Sequence, residues 1–223
     1  MSIISYVVII LLFAAAIAFM IYKQNSVGRL NIAIQGKDYA KVIELCEKDA
    51  YQKAVGKFNC ELYRLKAIYR SRPEAERQKA LEEALAKDYT MENKEEILDL
   101  YFHIYLQNQN RAYCDKLMEI IDTIDDETCK KYQRWSYEVV FNKRTDLIKE
   151  MDDAIEDKRM KGFGLGVSAY MIGLSYYYLE NWESSRSYFY SSISCFHPGN
   201  MYVELAKKYV NELNEKLGSD ITI

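Results

Sequence analysis

The chain has 223 residues, of which 49% are hydrophobic and 28% charged, with a formal net charge of −3. That balance is too apolar for a disordered chain and too charged for a protein that crosses a membrane many times. Only 2 Pro and 9 Gly punctuate it, which favours long helices over a turn-rich sandwich or barrel. With 2 His and an odd set of 5 Cys, it offers little for a metal site and no sensible disulfide framework.

Residues 3–22 contain no charged side chain, and twelve of them are Ile, Leu, Val or Phe. A helix of that length covers ~30 Å, the thickness of the hydrocarbon layer. Tyr6 and Tyr22 stand near its two ends, where aromatic rings favour the interface. A cleaved secretory signal is the competing reading, because Ala14, Ala15, Ala16 and Ala18 supply small residues. Against it, no Lys or Arg precedes the run, and the run continues through Phe19, Met20, Ile21 and Tyr22. Residues 3–22 are therefore expected to be a retained transmembrane anchor. The first flanking cations, Lys23 and Arg29, follow the span, so its C-terminal side is expected in the cytoplasm. Residues 23–72 carry a net +6 and residues 73–223 a net −9, an arrangement suited to an anionic inner leaflet.

Residues 23–200 read as helices throughout. The set Ile97, Leu100, Tyr101, Ile104 and Tyr105 falls on one helical face. Tyr113, Leu117, Ile120, Ile121 and Ile124 make the next stripe, and Leu147, Ile148, Met151, Ala154 and Ile155 another. Polar breaks fall at Gly36-Lys37-Asp38, Ser71-Arg72-Pro73, Gln107 to Asn110, Asn142-Lys143 and Glu180-Asn181. The first buried position of each second helix is placed near Tyr39, Ala75, Tyr113, Thr145 and Trp182, at intervals of 32 to 38 residues. Such a recurrence with two helices per unit predicts an all-α solenoid of about five hairpins. Residues 201–218 follow as a capping helix, with Val203, Ala206, Val210, Leu213 and Leu217 on one face and Gly218 ending it.

One unit carries a family pattern. In residues 168–200, Gly173 occupies a small-residue crossing point, with Ile172 before it and Tyr176 after. Leu179 and Trp182 fit the turn, Ser185 takes the small place in the second helix, and Phe189 and Ser192 follow. Ala169 stands where a bulky aromatic is usual, and Pro198 lies one residue late. This segment resembles a tetratricopeptide repeat, and the stretch from Gly36 to Glu44 resembles the turn and second helix of the same unit. The middle units keep only the period. The resemblance implies a concave groove lined by the first helix of each hairpin. Carried onto this unit, the partner-binding positions are Tyr170, Leu174, Tyr177 and Tyr178.

No constellation for chemistry emerges. His103 and His197 stand in no zinc-binding pattern, and Cys195, two residues from His197, points to another helix face. Cys46, Cys60, Cys114 and Cys129 lie in or beside apolar stripes and are expected to be small buried hydrophobes. Gly162-Phe163-Gly164-Leu165-Gly166 lacks the features of a phosphate loop and is expected to be a flexible link with close helix approach. The acidic clusters around Asp125 and Asp153 lack calcium-loop spacing. No cofactor, metal, small-molecule substrate or nucleic acid is expected. The expected function is non-enzymatic: a membrane-anchored, cytoplasm-facing scaffold that recruits a protein or peptide. The alternative is a structural subunit of a membrane complex or of a homo-oligomer.

Overall fold

The computed structural model describes residues 3–218. Every regular element among them is a helix, twelve in all. The chain divides into two compact units, residues 1–94 and 95–223.

The first unit begins with α1 (Ile3–Gln35), a single helix of 33 residues. Its part from Tyr6 to Tyr22 is exposed, including Phe13 at 68%. Further along the same helix, Ser26 and Leu30 are buried. Ser26 satisfies its hydroxyl by donating back to the Tyr22 carbonyl at 2.8 Å. Leu30 belongs to a core shared with Val42, Leu45 and Cys46 of α2 (Tyr39–Cys46) and with Tyr51, Ala54 and Val55 of α3 (Asp49–Val55). Cys60 and Ala67 of α4 (Lys57–Ser71) complete it. Gly56 separates α3 from α4 with φ at +101°, a conformation L side chains rarely adopt. Pro73 stops α4, because the residue before a proline is driven out of the helical region. The unit closes with α5 (Glu74–Ala86), whose Ala80, Leu81, Ala84 and Leu85 are buried.

The second unit takes in most of α6 (Met91–Gln107), then α7 (Arg111–Ile121), α8 (Glu127–Asn142) and α9 (Ile148–Glu156). It ends with α10 (Gly162–Tyr178), α11 (Trp182–Ile193) and α12 (Met201–Leu217). The α10–α11 crossing is tight. The Ser185 hydroxyl donates to the Gly173 carbonyl at 2.8 Å, and a Cβ on Gly173 would meet the Phe189 ring at 3.0 Å. α12 packs against α11, and its Val203, Ala206, Val210 and Leu213 are buried.

One turn is built three times. Lys37, Gln109 and Glu180 are left-handed at φ 57°, 58° and 58°. In each case the next residue, Asp38, Asn110 or Asn181, donates its N–H to the carbonyl five residues back. The same three side chains then cap the following helix by accepting from Lys41, Tyr113 and Ser184 N–H. Left-handed backbone is costly for a side chain. Closing two orphan carbonyls behind the turn and one orphan N–H ahead of it offsets that cost. Helices starting at residues 39, 74, 111, 148 and 182 follow one another at a spacing of 34 to 37 residues.

Four local expectations are corrected. Ala75, in the first turn of α5, is exposed, as is Leu100 at 44%, since Leu98 and Phe102 on neighbouring faces of α6 take the interior instead. Thr145 lies ahead of α9 rather than inside it. Residues 162–166 are the first turns of α10, not a flexible link; Gly164 and Gly166 serve close approach, since a Cβ there would lie 3.0 Å from Tyr132 and 2.5 Å from Phe196. The segment after α2 holds the extra short helix α3, which no polar break announced.

Candidate functional site

The four residues expected to line a groove are split by the structure. Tyr170 and Leu174 are buried, at 1% and 4% exposure, and present no surface to a partner. The Tyr170 ring sits edge-on to Phe189 at 5.1 Å and Tyr202 at 4.7 Å, so α11 and α12 cover the face that was expected to be open. The physical reason is α12 itself: with Tyr202 and Tyr209 it supplies the aromatic surface against which this part of α10 packs. Tyr177 and Tyr178 are half-buried. Tyr177 meets Tyr209 and Trp182 edge-on, donates to Glu212 at 2.5 Å and carries Lys216 over its ring at 4.9 Å. Lys143 covers Tyr178 at 5.7 Å.

A polar network lies beneath this cluster, joining residues far apart in the chain. His103 on α6 is fully buried and its Nδ1 is 2.6 Å from the Tyr202 hydroxyl of α12. Gln107 donates to the same hydroxyl at 3.3 Å. Gln133 approaches the ring, yet neither His103 Nε2 nor Gln133 Oε1 closes a hydrogen bond among the described residues. Burial pushes the imidazole pKa down to about 3, which keeps it neutral. The Gln133 amide instead donates to Asp99 at 3.0 Å, and Tyr132 donates to the same carboxyl oxygen. Burial raises Asp99 to about 6 against the opposing hydrogen bond from Tyr132. Phe163 closes the network edge-on to His103 at 5.2 Å. His103 is thus a packed, uncharged core residue.

The first unit holds its polarity differently. Glu61 on α4 is buried, and Arg64 grips it through Nη2 at 2.6 Å while Lys87 and Tyr89 reach its other oxygen. Burial pushes this carboxyl upward, but the hydrogen bonds and charges of Arg64 and Lys87 outweigh burial and leave it below its usual range. These groups line a cleft of about 410 Å³ together with Cys46 and Cys60. Burial pushes the Cys46 thiol up to about 12, as it does Cys114 and Cys129, so these are unreactive thiols. Cys46, Cys60, Cys114 and Cys129 are all buried, as their place in the apolar stripes implied.

A second cleft of the first unit, about 620 Å³, opens beside the end of α1 between Arg29, Ile32, Lys41, Lys48 and Tyr51. Its cations are few in sequence terms and scattered over 20 residues, so no motif marked it.

Among the described residues, four exposed or half-exposed aromatic groups carry cations over their faces, the first being Tyr69 under Arg77. Arg111 lies over Tyr137 and Phe141, Lys143 over Tyr178, and Lys216 over Tyr177 and Trp182. Comparison with known protein families, with curated proteins and with solved structures returns no match to this chain.

Proposed function

We propose that this protein is a single-span, membrane-anchored scaffold of tetratricopeptide-like helical hairpins, which holds a protein or peptide partner at the cytoplasmic face. The observation that carries the reading is α1. Its apolar stretch, with a mean hydropathy of 2.3 and nothing buried against it, runs without a break into the helix that supplies Leu30 to a folded core. Exposing that many large apolar side chains to water is unfavourable by ~25 cal/mol per Å², and a bilayer removes the cost.

The hairpin reading rests on the thrice-built turn and on the 34–37-residue spacing of second helices. Gly173 and Ser185 at the α10–α11 crossing supply the close approach that such hairpins require. Because Tyr170 and Leu174 are closed, the partner surface is assigned to rings that keep an accessible face. These are Tyr137, Phe141 and Trp182, each held by a cation. Rings of this kind give rigid contact area at low entropy cost, and the neighbouring cations suit an acidic or carboxylate-bearing segment. Holding a partner on a membrane raises its effective concentration there, and no chemical step is required.

Membranes from cells producing the full chain, washed in alkaline carbonate, test the anchor. The protein stays in the pellet, and a reporter fused after Ile223 is active in the cytoplasm. Release into the wash, or reporter activity on the opposite side, refutes the reading.

A further inference from the structure

The cleft beside the end of α1 has the makings of an anion site. Arg29 lies seven residues past Tyr22, about 10 Å along a helix. The headgroup layer extends several Å beyond the hydrocarbon and long cationic side chains reach toward it. Arg29 is exposed and forms no ion pair with a carboxylate among the described residues. Lys41 and Lys48 line the same cleft. Both are held at its rim by one exposed carboxylate, Glu44, at 2.8 and 2.6 Å. Exposed pairs at this helical spacing are weak, so a stronger anion displaces Glu44 readily. Asp38, also on the wall, is committed to capping α2 through the Lys41 N–H.

The independent sign of a ligand is Tyr51. It lines the cleft, is 6% exposed, and its hydroxyl has no hydrogen-bond partner among the described residues. Lys41 lines the same cleft as that phenol. An unpaired buried hydroxyl costs stability unless something satisfies it, and the cleft that Tyr51 lines carries three cations. Ile32, 70% exposed, flanks the opening with apolar surface.

We propose that this cleft binds a phosphate ester presented by the headgroup of an anionic phospholipid, with Tyr51 donating to a phosphate oxygen and Arg29, Lys41 and Lys48 neutralising its charge. The volume of about 620 Å³ suits a headgroup, and the membrane as source rests on the reading of α1 given above.

The test is native mass spectrometry of the full chain in neutral detergent micelles doped with phosphatidylglycerol or phosphatidylcholine. Wild type is expected to retain phosphatidylglycerol at least fivefold over phosphatidylcholine. Arg29→Gln and Tyr51→Phe each lower that retention about fivefold, and Tyr51→Phe leaves the melting temperature unchanged or higher because its hydroxyl has no partner to lose. Glu44→Gln raises retention, since it frees both lysines. Equal retention of the two lipids overturns the proposal, as does a Tyr51→Phe variant that binds like wild type. Full displacement by glycerol 3-phosphate at the lipid's own concentration overturns the lipid source. Micelles present lipid whether or not α1 inserts, so carbonate extraction fails or passes independently of this result.

Discussion

The two units solve the problem of buried polarity in opposite ways. The first keeps a charge: Glu61 stays ionised because Arg64 and Lys87 meet it at the edge of a cleft. The second removes charge at His103, which is held neutral, and raises the proton affinity of Asp99, which accepts from the Tyr132 hydroxyl and the Gln133 amide. The surroundings decide which solution is available. Arg64 and Lys87 retain access to water, so the ion pair is only partly desolvated. His103 is enclosed by Phe102, Tyr132, Phe163 and Tyr202, and a charge there would have no partner and no solvent. The lesson is that aromatic packing, not the polar residue itself, sets the protonation state.

The sharpest way to break this comparison is to empty the aromatic enclosure. Tyr170→Ala and Tyr202→Ala should each cost about 3–5 kcal/mol, as removal of a buried ring does. Both Trp residues, Trp135 and Trp182, lie in the second unit, so a denaturant melt followed by tryptophan fluorescence reports on that unit. A loss below about 1 kcal/mol would mean that the rings face an open groove after all.

Glu61→Gln probes the other solution and should be milder. Arg64 keeps a neutral acceptor but loses its counter-charge, a loss of about 1–2 kcal/mol, discounted because Lys87 is half-exposed. Thermal melting by circular dichroism checks it. An unchanged or raised melting temperature would show that the carboxylate is dispensable to the fold.

The smallest effect is in pH. A neutral-held His103 contributes stability that is fully present above about pH 6.5 and is lost as pH falls toward about 3. Asp99 has the opposite sign: its raised pKa gives stability that is present below about 3.8 and lost as pH rises through about 6. Between about pH 4 and 6 the two slopes oppose each other, so wild-type stability of the second unit should be nearly flat there. Asp99→Asn removes one slope and should expose the other, up to about 1.4 kcal/mol per pH unit. A profile that stays flat in the variant would place the histidine in a solvated site.

Legibility in the sequence followed the range of the interactions. Helix ends were readable because capping is local: Asp38, Asn110 and Asn181 announce their helices by chemistry complete within five residues. Periodicity correctly placed Val203, Ala206, Val210 and Leu213 on a buried face. It misjudged Leu100, since α6 is enclosed on nearly every side and its stripe has no single direction. Gly162 to Gly166 looked like a link, because the rings of Tyr132 and Phe196 that demand glycine lie 32 and 30 residues away. The same holds for the candidate site. Tyr177 and Tyr178 sit at a partly open surface, but nothing local says that Tyr202, 32 residues beyond Tyr170, would cover the rest. His103 and Tyr202 are 99 residues apart, and no spacing rule connects them.

α1 also fixes an angle. Its exposed stretch and the buried Ser26 and Leu30 belong to one helix with no joint, so any rotation of residues 6–22 about their axis turns the first unit by the same amount. Each residue of a helix advances ~100° around that axis and ~1.5 Å along it. One residue added between Tyr22 and Ser26 would swing the cleft of Arg29 and Tyr51 by more than a quarter turn relative to the apolar stretch. The three residues between Tyr22 and Ser26 therefore act as a phase setting, and their number, rather than their identity, determines which way the first unit faces relative to the apolar stretch.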